Sequence, residues 1–153
     1  MSFIQVRHNI EVAHRLYELQ GKCENIHGHS MWVDLKLHGA VDSKGILAGL
    51  SFGDVKKRFR GFLDETFDHH LLLNQADPWA TLLGLDLGGK QLHNLPGLMS
   101  MPGDPTTENL ARWIAEWAVD EFKLYADVVV HETSVNAAGF SAKPRNGGLS
   151  GRP

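Results

Sequence analysis

The stretch Ser30-Met31-Trp32-Val33-Asp34-Leu35-Lys36-Leu37-His38 decides the fold class. Apolar and polar side chains alternate along it with a period of two, the pattern of a strand with one face on a core and the other toward water. It ends near Gly39, and Asp42-Ser43-Lys44-Gly45 reads as a turn, so Ile46 to Leu50 is expected to return as the partner strand of a hairpin. Upstream, Phe3 to His14 carries Phe3, Ile4, Val6, Ile10 and Val12 and reads as another strand, with Arg7-His8-Asn9 a point of possible irregularity. Downstream, Ser51 is placed as a helix N-cap with Asp54 as its capping-box partner. Phe52, Val55, Phe59, Phe62 and Leu63 then follow at helical spacing to about Thr66.

A second helix is predicted from Asp104-Pro105, a cap followed by proline at the first helical position. Its apolar stripe, Leu110, Trp113, Ile114 and Trp117, runs to about Phe122 and reads as core. Residues 126–133 contain Val128-Val129-Val130 and read as a strand. The order strand, hairpin, helix, helix, strand gives an α+β class: an antiparallel sheet with helices on one face. A single domain over residues 1–142 is expected. Residues 75–103 form a long connection within it, functional, partly helical or mobile, with Asp77-Pro78-Trp79 a candidate helix start. Residues 143–153, rich in Pro, Gly and Ser, are expected to be a disordered tail.

A chain of 153 residues with 42% hydrophobic content can bury a core without staples, and Cys23 is its only cysteine, which fits a reducing compartment. With 15 basic against 18 acidic side chains the net charge is −3, which excludes a general nucleic-acid binder. A small anion remains possible in a local basic cluster such as Lys22 or Arg15. No apolar run approaches the roughly 20 residues of a membrane span, and Met1-Ser2-Phe3-Ile4-Gln5-Val6 lacks a signal-peptide layout, so a soluble cytoplasmic protein is expected.

Nine histidines stand out, and Cys23-Glu24-Asn25-Ile26-His27-Gly28-His29 is the densest cluster of reactive types. On an extended strand His27 and His29 point to one face and can share a metal ion, with His14 on the neighbouring strand the natural third ligand. Gly28 leaves room for close backbone packing on the other face. The alternative, an exposed polar pair, stays open on spacing alone. Cys23 is either an inert thiol or a group activated beside a cation. Asp68-His69-His70 is either a solvated turn or a carboxylate that orients an imidazole, the latter only if the backbone turns sharply there. Thr106-Thr107-Glu108-Asn109 is explained by helix capping. Glu132 follows an apolar strand, where a charge needs a partner, and a carboxylate there can bind an amidine-like N–C–NH₂ edge. His8, His38, His93 and His131 read as surface or core polar residues.

Four ordered motifs then combine: Ala13-His14, Cys23-x-x-x-His27-Gly28-His29, Asp68-His69, and Pro105-Thr106-x-Glu108-Asn109 followed by His131-Glu132-Thr133. From about Ile10 to Phe140 the chain resembles the 6-pyruvoyl-tetrahydropterin synthase family, and within it the bacterial 6-carboxy-tetrahydropterin synthases. The resemblance implies a tunnelling fold, a four-stranded antiparallel sheet with two helices, assembled as a homo-oligomer, commonly a hexamer. It implies zinc on His14, His27 and His29, Cys23 as proton acceptor with Asp68 and His69 as its relay, and Glu132 as pterin anchor with Thr106, Thr107 and Glu108 nearby. The implied lyase reaction converts 7,8-dihydroneopterin triphosphate to 6-carboxy-5,6,7,8-tetrahydropterin, acetaldehyde and triphosphate, feeding the 7-deazaguanine route to queuosine. Glu24-x-x-His27-Gly28-His29 also resembles a branch that makes 6-hydroxymethyl-dihydropterin for folate, in which a glutamate is the base. A pterin- or purine-binding protein without turnover is the third reading; the complete Cys, Asp-His and three-His sets argue against it.

Overall fold

Strands β1 (Ser2–His14) and β2 (His27–Gly39) pair antiparallel along their whole lengths, from Ser2 opposite Gly39 to His14 opposite His27. The computed structural model describes residues 2–84 and 96–144. The alternation read from the sequence fixes the faces. Val6, Ile10 and Val12 of β1 lie with Met31, Val33, Leu35 and Leu37 of β2 on the buried side, while Arg7, Asn9 and Trp32 face out.

Pairing runs unbroken through Arg7-His8-Asn9, where an irregularity was anticipated. Each charged group there finds a partner: Arg7 donates to both carboxylate oxygens of Asp34 at 2.6 and 2.7 Å, and the His8 ring meets Asp64 at 2.8 Å. The bonds from Arg7 are the main cause holding the Asp34 carboxyl below the usual carboxylate range; burial opposes them and the His131 ring adds to them. A carboxyl depressed in the folded state stabilises the fold above its unfolded pKa of about 4 and loses that contribution as pH falls further. Asp34→Asn is therefore expected to flatten the loss of stability below about pH 4. An unchanged acid slope in pH-dependent denaturation would show that the pair contributes nothing.

The expected hairpin partner does not form. Residues 46–50 form one isolated bridge, Leu47 to Val41 beyond the end of β2, because Gly45, Ala48 and Gly49 take positive φ of 78, 49 and 72° and break any extended run. The second neighbour of β2 is β5 (Tyr125–His131), with Trp32 opposite His131. Two short strands, β3 (Leu71–Asn74) and β4 (Leu98–Met101), add to the far side of β1 in parallel, and β6 (Ala137–Ala142) adds antiparallel to β5. Among the described residues the result is a six-stranded mixed sheet, β4-β3-β1-β2-β5-β6, with three α-helices, instead of four antiparallel strands with two. Four-residue strands are too short to display a period, and Ala-Ala-Gly-Phe-Ser-Ala lacks the β-branched residues that mark a strand.

Helix α1 (Phe52–Thr66) is capped by Ser51, whose Oγ accepts from the Asp54 N–H at 3.1 Å. It buries Val55, Phe59 and Leu63, while its first residue, Phe52, remains exposed. Helix α3 (Thr107–Phe122) buries Leu110, Ala111, Ile114, Ala115 and Ala118 in the same core. Trp113 and Trp117 pack against that core as expected, and Trp117 stacks on Phe62 with ring centroids 3.9 Å apart. Removing the Phe59 ring leaves a cavity that rigid sheet and helices cannot fill. Phe59→Ala is expected to cost about 3–5 kcal/mol in urea unfolding with an unchanged m-value; a loss under about 1 kcal/mol would contradict this packing.

The region 75–103 is more structured than a connection: α2 (Pro78–Leu83) starts where expected, with the Asp77 side chain accepting from Trp79 N–H, and β4 closes the segment. Residues 85–95, which include His93, and tail residues 145–153 lie outside the described residues. Among the described residues no helix is long and apolar enough to cross a membrane.

Candidate metal centre and active site

The register of β1 and β2 builds the central feature. His14 stands directly opposite His27, and His29 lies two residues further along β2, so all three side chains share one face. Gly28 between them suits a close approach: a Cβ there would sit 3.0 Å from the Val12 carbonyl oxygen, so that strand would have to give by a few tenths of an ångström. One ligand atom from each of His14, His27 and His29 lies within 4.8 Å of the others.

The hydrogen bonds around the trio set its chemistry. His14 is fully buried, and its Nδ1 is 2.9 Å from the Pro105 carbonyl; His27 Nδ1 is 2.8 Å from the Asn25 carbonyl. A carbonyl only accepts, so both Nδ1 atoms carry protons, and in neutral rings both Nε2 atoms carry lone pairs. These Nε2 atoms face each other at 3.1 Å. His29 Nε2 is buried with no hydrogen-bond partner among the described residues. Converging lone pairs and an orphaned buried nitrogen are unfavourable unless a cation neutralises them, and three neutral imidazoles are a donor set for a divalent metal. Burial is the main cause lowering the His14 pKa, and the neighbouring His27 and His29 rings lower it further, which keeps the ring available as a ligand. The residues present fit a metal ion.

Glu132, one residue past β5, reaches the same place. Its Oε1 accepts from the Thr107 hydroxyl at 3.0 Å and lies 3.8 and 3.9 Å from the Nε2 atoms of His14 and His29. Thr107 is the first residue of α3, so the helix start fixes the carboxylate's rotamer. The cap itself is Thr106, whose Oγ accepts from Asn109 N–H at 3.2 Å. This corrects the expectation of a cap at Asp104 with Pro105 inside the helix: Asp104 and Pro105 precede it, and their acceptors serve other partners. Glu108 lies exposed in the first turn.

Cys23 is exposed within a 3-10 turn, Lys22–Glu24, in the loop from His14 to His27. Arg15 braces this turn, donating from Nε to the Glu24 carbonyl at 2.6 Å and from Nη1 to the buried Asp77 at 2.5 Å. The Leu16 N–H donates to the Cys23 carbonyl at 2.9 Å. Arg15, considered above for a substrate anion, is thus committed to the protein, whereas Lys22 stays exposed. The sequence shows Asp77 only as a cap before Pro78, which hides its second role as the ion-pair partner of Arg15.

Asp68 and His69 satisfy the condition set for them. His69 takes a positive φ of 59°, the sharp turn that lets its Nδ1 reach the adjacent Asp68 carboxylate at 2.7 Å. Burial alone would raise the Asp68 carboxyl; the N–H of Glu11 and the His69 ring outweigh it and hold it below the usual range. His69 is exposed and shares an open groove of about 710 Å³ with His29, Gly28, Ser30 and Glu11. Among the described residues, the histidines read as polar find carboxylate partners: His8 bonds Asp64, His38 bonds Asp127 and His131 bonds Asp34.

An α+β sheet whose end carries three imidazoles able to hold a cation, a helix-oriented carboxylate and an Asp–His pair is a framework suited to a small-molecule enzyme. The chain belongs to the 6-pyruvoyl tetrahydropterin synthase family, whose profile matches residues 3–143. It is 32% identical over 108 residues to the 6-carboxy-5,6,7,8-tetrahydropterin synthase of Rickettsia conorii, covering 69% of this chain and 71% of the relative. The enzyme of the same name from Rickettsia bellii is 30% identical over 107 residues, with the same coverage. Among solved structures, a Plasmodium vivax 6-pyruvoyltetrahydropterin synthase with a catalytic glutamate replaced by alanine superposes with a TM-score of 0.70 at 19% identity, covering 93% of this chain and 98% of that one. The Caenorhabditis elegans 6-pyruvoyl tetrahydropterin synthase gives 0.63 at 22% identity, covering 93% and 96%. These likenesses establish the fold.

Proposed function

We propose that the protein is a zinc-dependent carbon–carbon lyase that converts 7,8-dihydroneopterin triphosphate and one water to 6-carboxy-5,6,7,8-tetrahydropterin, acetaldehyde and triphosphate, in the 7-deazaguanine route to queuosine. The observation that carries the reading is the convergence of the His14, His27 and His29 nitrogens beside Glu132. The Rickettsia relatives named for this product support it. A zinc ion on the three imidazoles would supply Lewis-acid polarisation of the substrate's side-chain oxygens. Glu132, held by Thr107, accepts two N–H bonds from the pterin's N–C–NH₂ edge, with Thr106 and Glu108 at the same helix start. Cys23 is the proton acceptor for the substrate side chain, and the His69 ring, oriented by Asp68, moves a second proton. Chains assemble as a homo-oligomer; β4 and β6, at the two edges of the sheet, carry the backbone groups for inter-subunit pairing.

Glu132→Gln keeps the size of the side chain but removes its charge and turns one acceptor into a donor. It is expected to lower kcat/KM by about 10- to 100-fold, mostly through KM, with metal content unchanged. Steady-state kinetics beside metal analysis reads this directly, and an unchanged KM would remove Glu132 from pterin binding. A second reading rests on Glu24, which shares the 3-10 turn with Cys23. In the Plasmodium vivax relative a glutamate is catalytic, and Glu24 as base would direct the same site toward 6-hydroxymethyl-dihydropterin.

A further inference from the structure

Asp104 is a buried carboxylate that the proposed chemistry does not use. It is 5% exposed, and among the described residues its oxygens meet only N–H groups: Tyr17 N at 3.1 Å, Glu18 N at 2.8 Å and Asn74 Nδ2 at 2.9 Å. Two of those donors are backbone groups of the loop that leads to Cys23. The next residue, Pro105, turns its carbonyl to His14 Nδ1, and two residues on Thr107 donates to Glu132. One short segment, 104–107, therefore sets three references at once: the metal ligand, the pterin-facing carboxylate and the thiol-bearing loop.

We propose that Asp104 is a positioning residue that holds the loop of residues 15–26, and with it Cys23, in register with His14 and Glu132. The chemistry explains why a carboxylate is needed. Three converging donors require an acceptor with several lone pairs and no hydrogens, and the negative charge strengthens each bond. Asparagine has the same shape but would turn an NH₂ group toward at least one of them. The loop's other braces, Arg15 to the Glu24 carbonyl and the Leu16 N–H to the Cys23 carbonyl, hold the turn itself, so loss of Asp104 frees the segment from Tyr17 onward that enters the turn. Pro105 has a fixed φ, so the two halves of the site share a stiff link.

The inference rests on the reading of Cys23 as the reacting thiol, and its test carries two readouts that do not. In the metal-loaded full chain, Asp104→Asn is expected to lower kcat by about 10- to 100-fold, with KM within about threefold and metal content unchanged. Alkylation of Cys23 by iodoacetamide is expected to quicken several-fold as the loop loosens. An unchanged kcat or alkylation rate in the folded variant, or a fall in kcat that only tracks loss of metal, would overturn the proposal. Native-state hydrogen exchange of the unaltered chain reads the same bonds without a variant. Tyr17 and Glu18 amides protected about 100-fold over the exposed amide of Lys22 support the clamp, and unprotected amides overturn it. If no pterin is turned over, alkylation and exchange still decide the role of Asp104, so failure of the proposed reaction is distinguishable from failure of the clamp.

Discussion

Replacing His27 with alanine is expected to empty the metal site: about one ion per chain in the wild type falls to about a tenth or less after gel filtration. Two imidazoles from one strand pair cannot surround a divalent ion, and the remaining His14 ring, buried and locked to the Pro105 carbonyl, cannot move to compensate. Turnover falls with the metal. The structural cost is small, because the His27 side chain is only partly buried and its outer nitrogen bonds a loop carbonyl. His27→Ala is therefore expected to fold with wild-type circular dichroism. Elemental analysis with wild-type metal content in this variant would sink the ligand assignment. The same analysis on the wild type names the metal, which imidazole donors alone do not decide.

Cys23→Ala separates binding from proton transfer. The thiol is exposed at the tip of a turn held by backbone bonds, so alanine removes a reactive group with no effect on packing. Metal content and stability should stay at wild-type values while kcat falls by about 100- to 10,000-fold, the range associated with loss of one general base. KM should change little, because Glu132 and Thr107 remain in place. Single-turnover kinetics on the metal-loaded variant measures the step itself. Activity within about threefold of wild type would remove Cys23 from the mechanism and shift attention to Glu24, one residue along the same turn.

The parts legible in the sequence were those whose signals are local and repeated. The alternation of 30–38 predicts the buried face of β2, and the Ser51-to-Asp54 capping pattern and apolar spacing predict α1 to its last turn. His-Gly-His on a strand predicts two imidazoles on one face, and the register brings His14 beside them. What stayed hidden depended on distant partners. The segment 46–50 has strand-like residues, but positive φ at Gly45, Ala48 and Gly49 diverts it, and β2 pairs instead with a strand nearly a hundred residues downstream. β3 and β4 are short runs stabilised by the edge of β1, which no local pattern announces. Asp104-Pro105 imitates a helix start so well that its true work, holding the Tyr17 and Glu18 amides and the His14 ring, is visible only in three dimensions. Asp77 is the same case: it does cap a helix, and also binds Arg15.

The most direct measurement is mass spectrometry of the products formed when zinc-loaded protein is incubated with 7,8-dihydroneopterin triphosphate. A 6-carboxy-5,6,7,8-tetrahydropterin peak together with acetaldehyde is the predicted result. A 6-hydroxymethyl-dihydropterin peak in its place, or no product from protein that retains its metal, would contradict it.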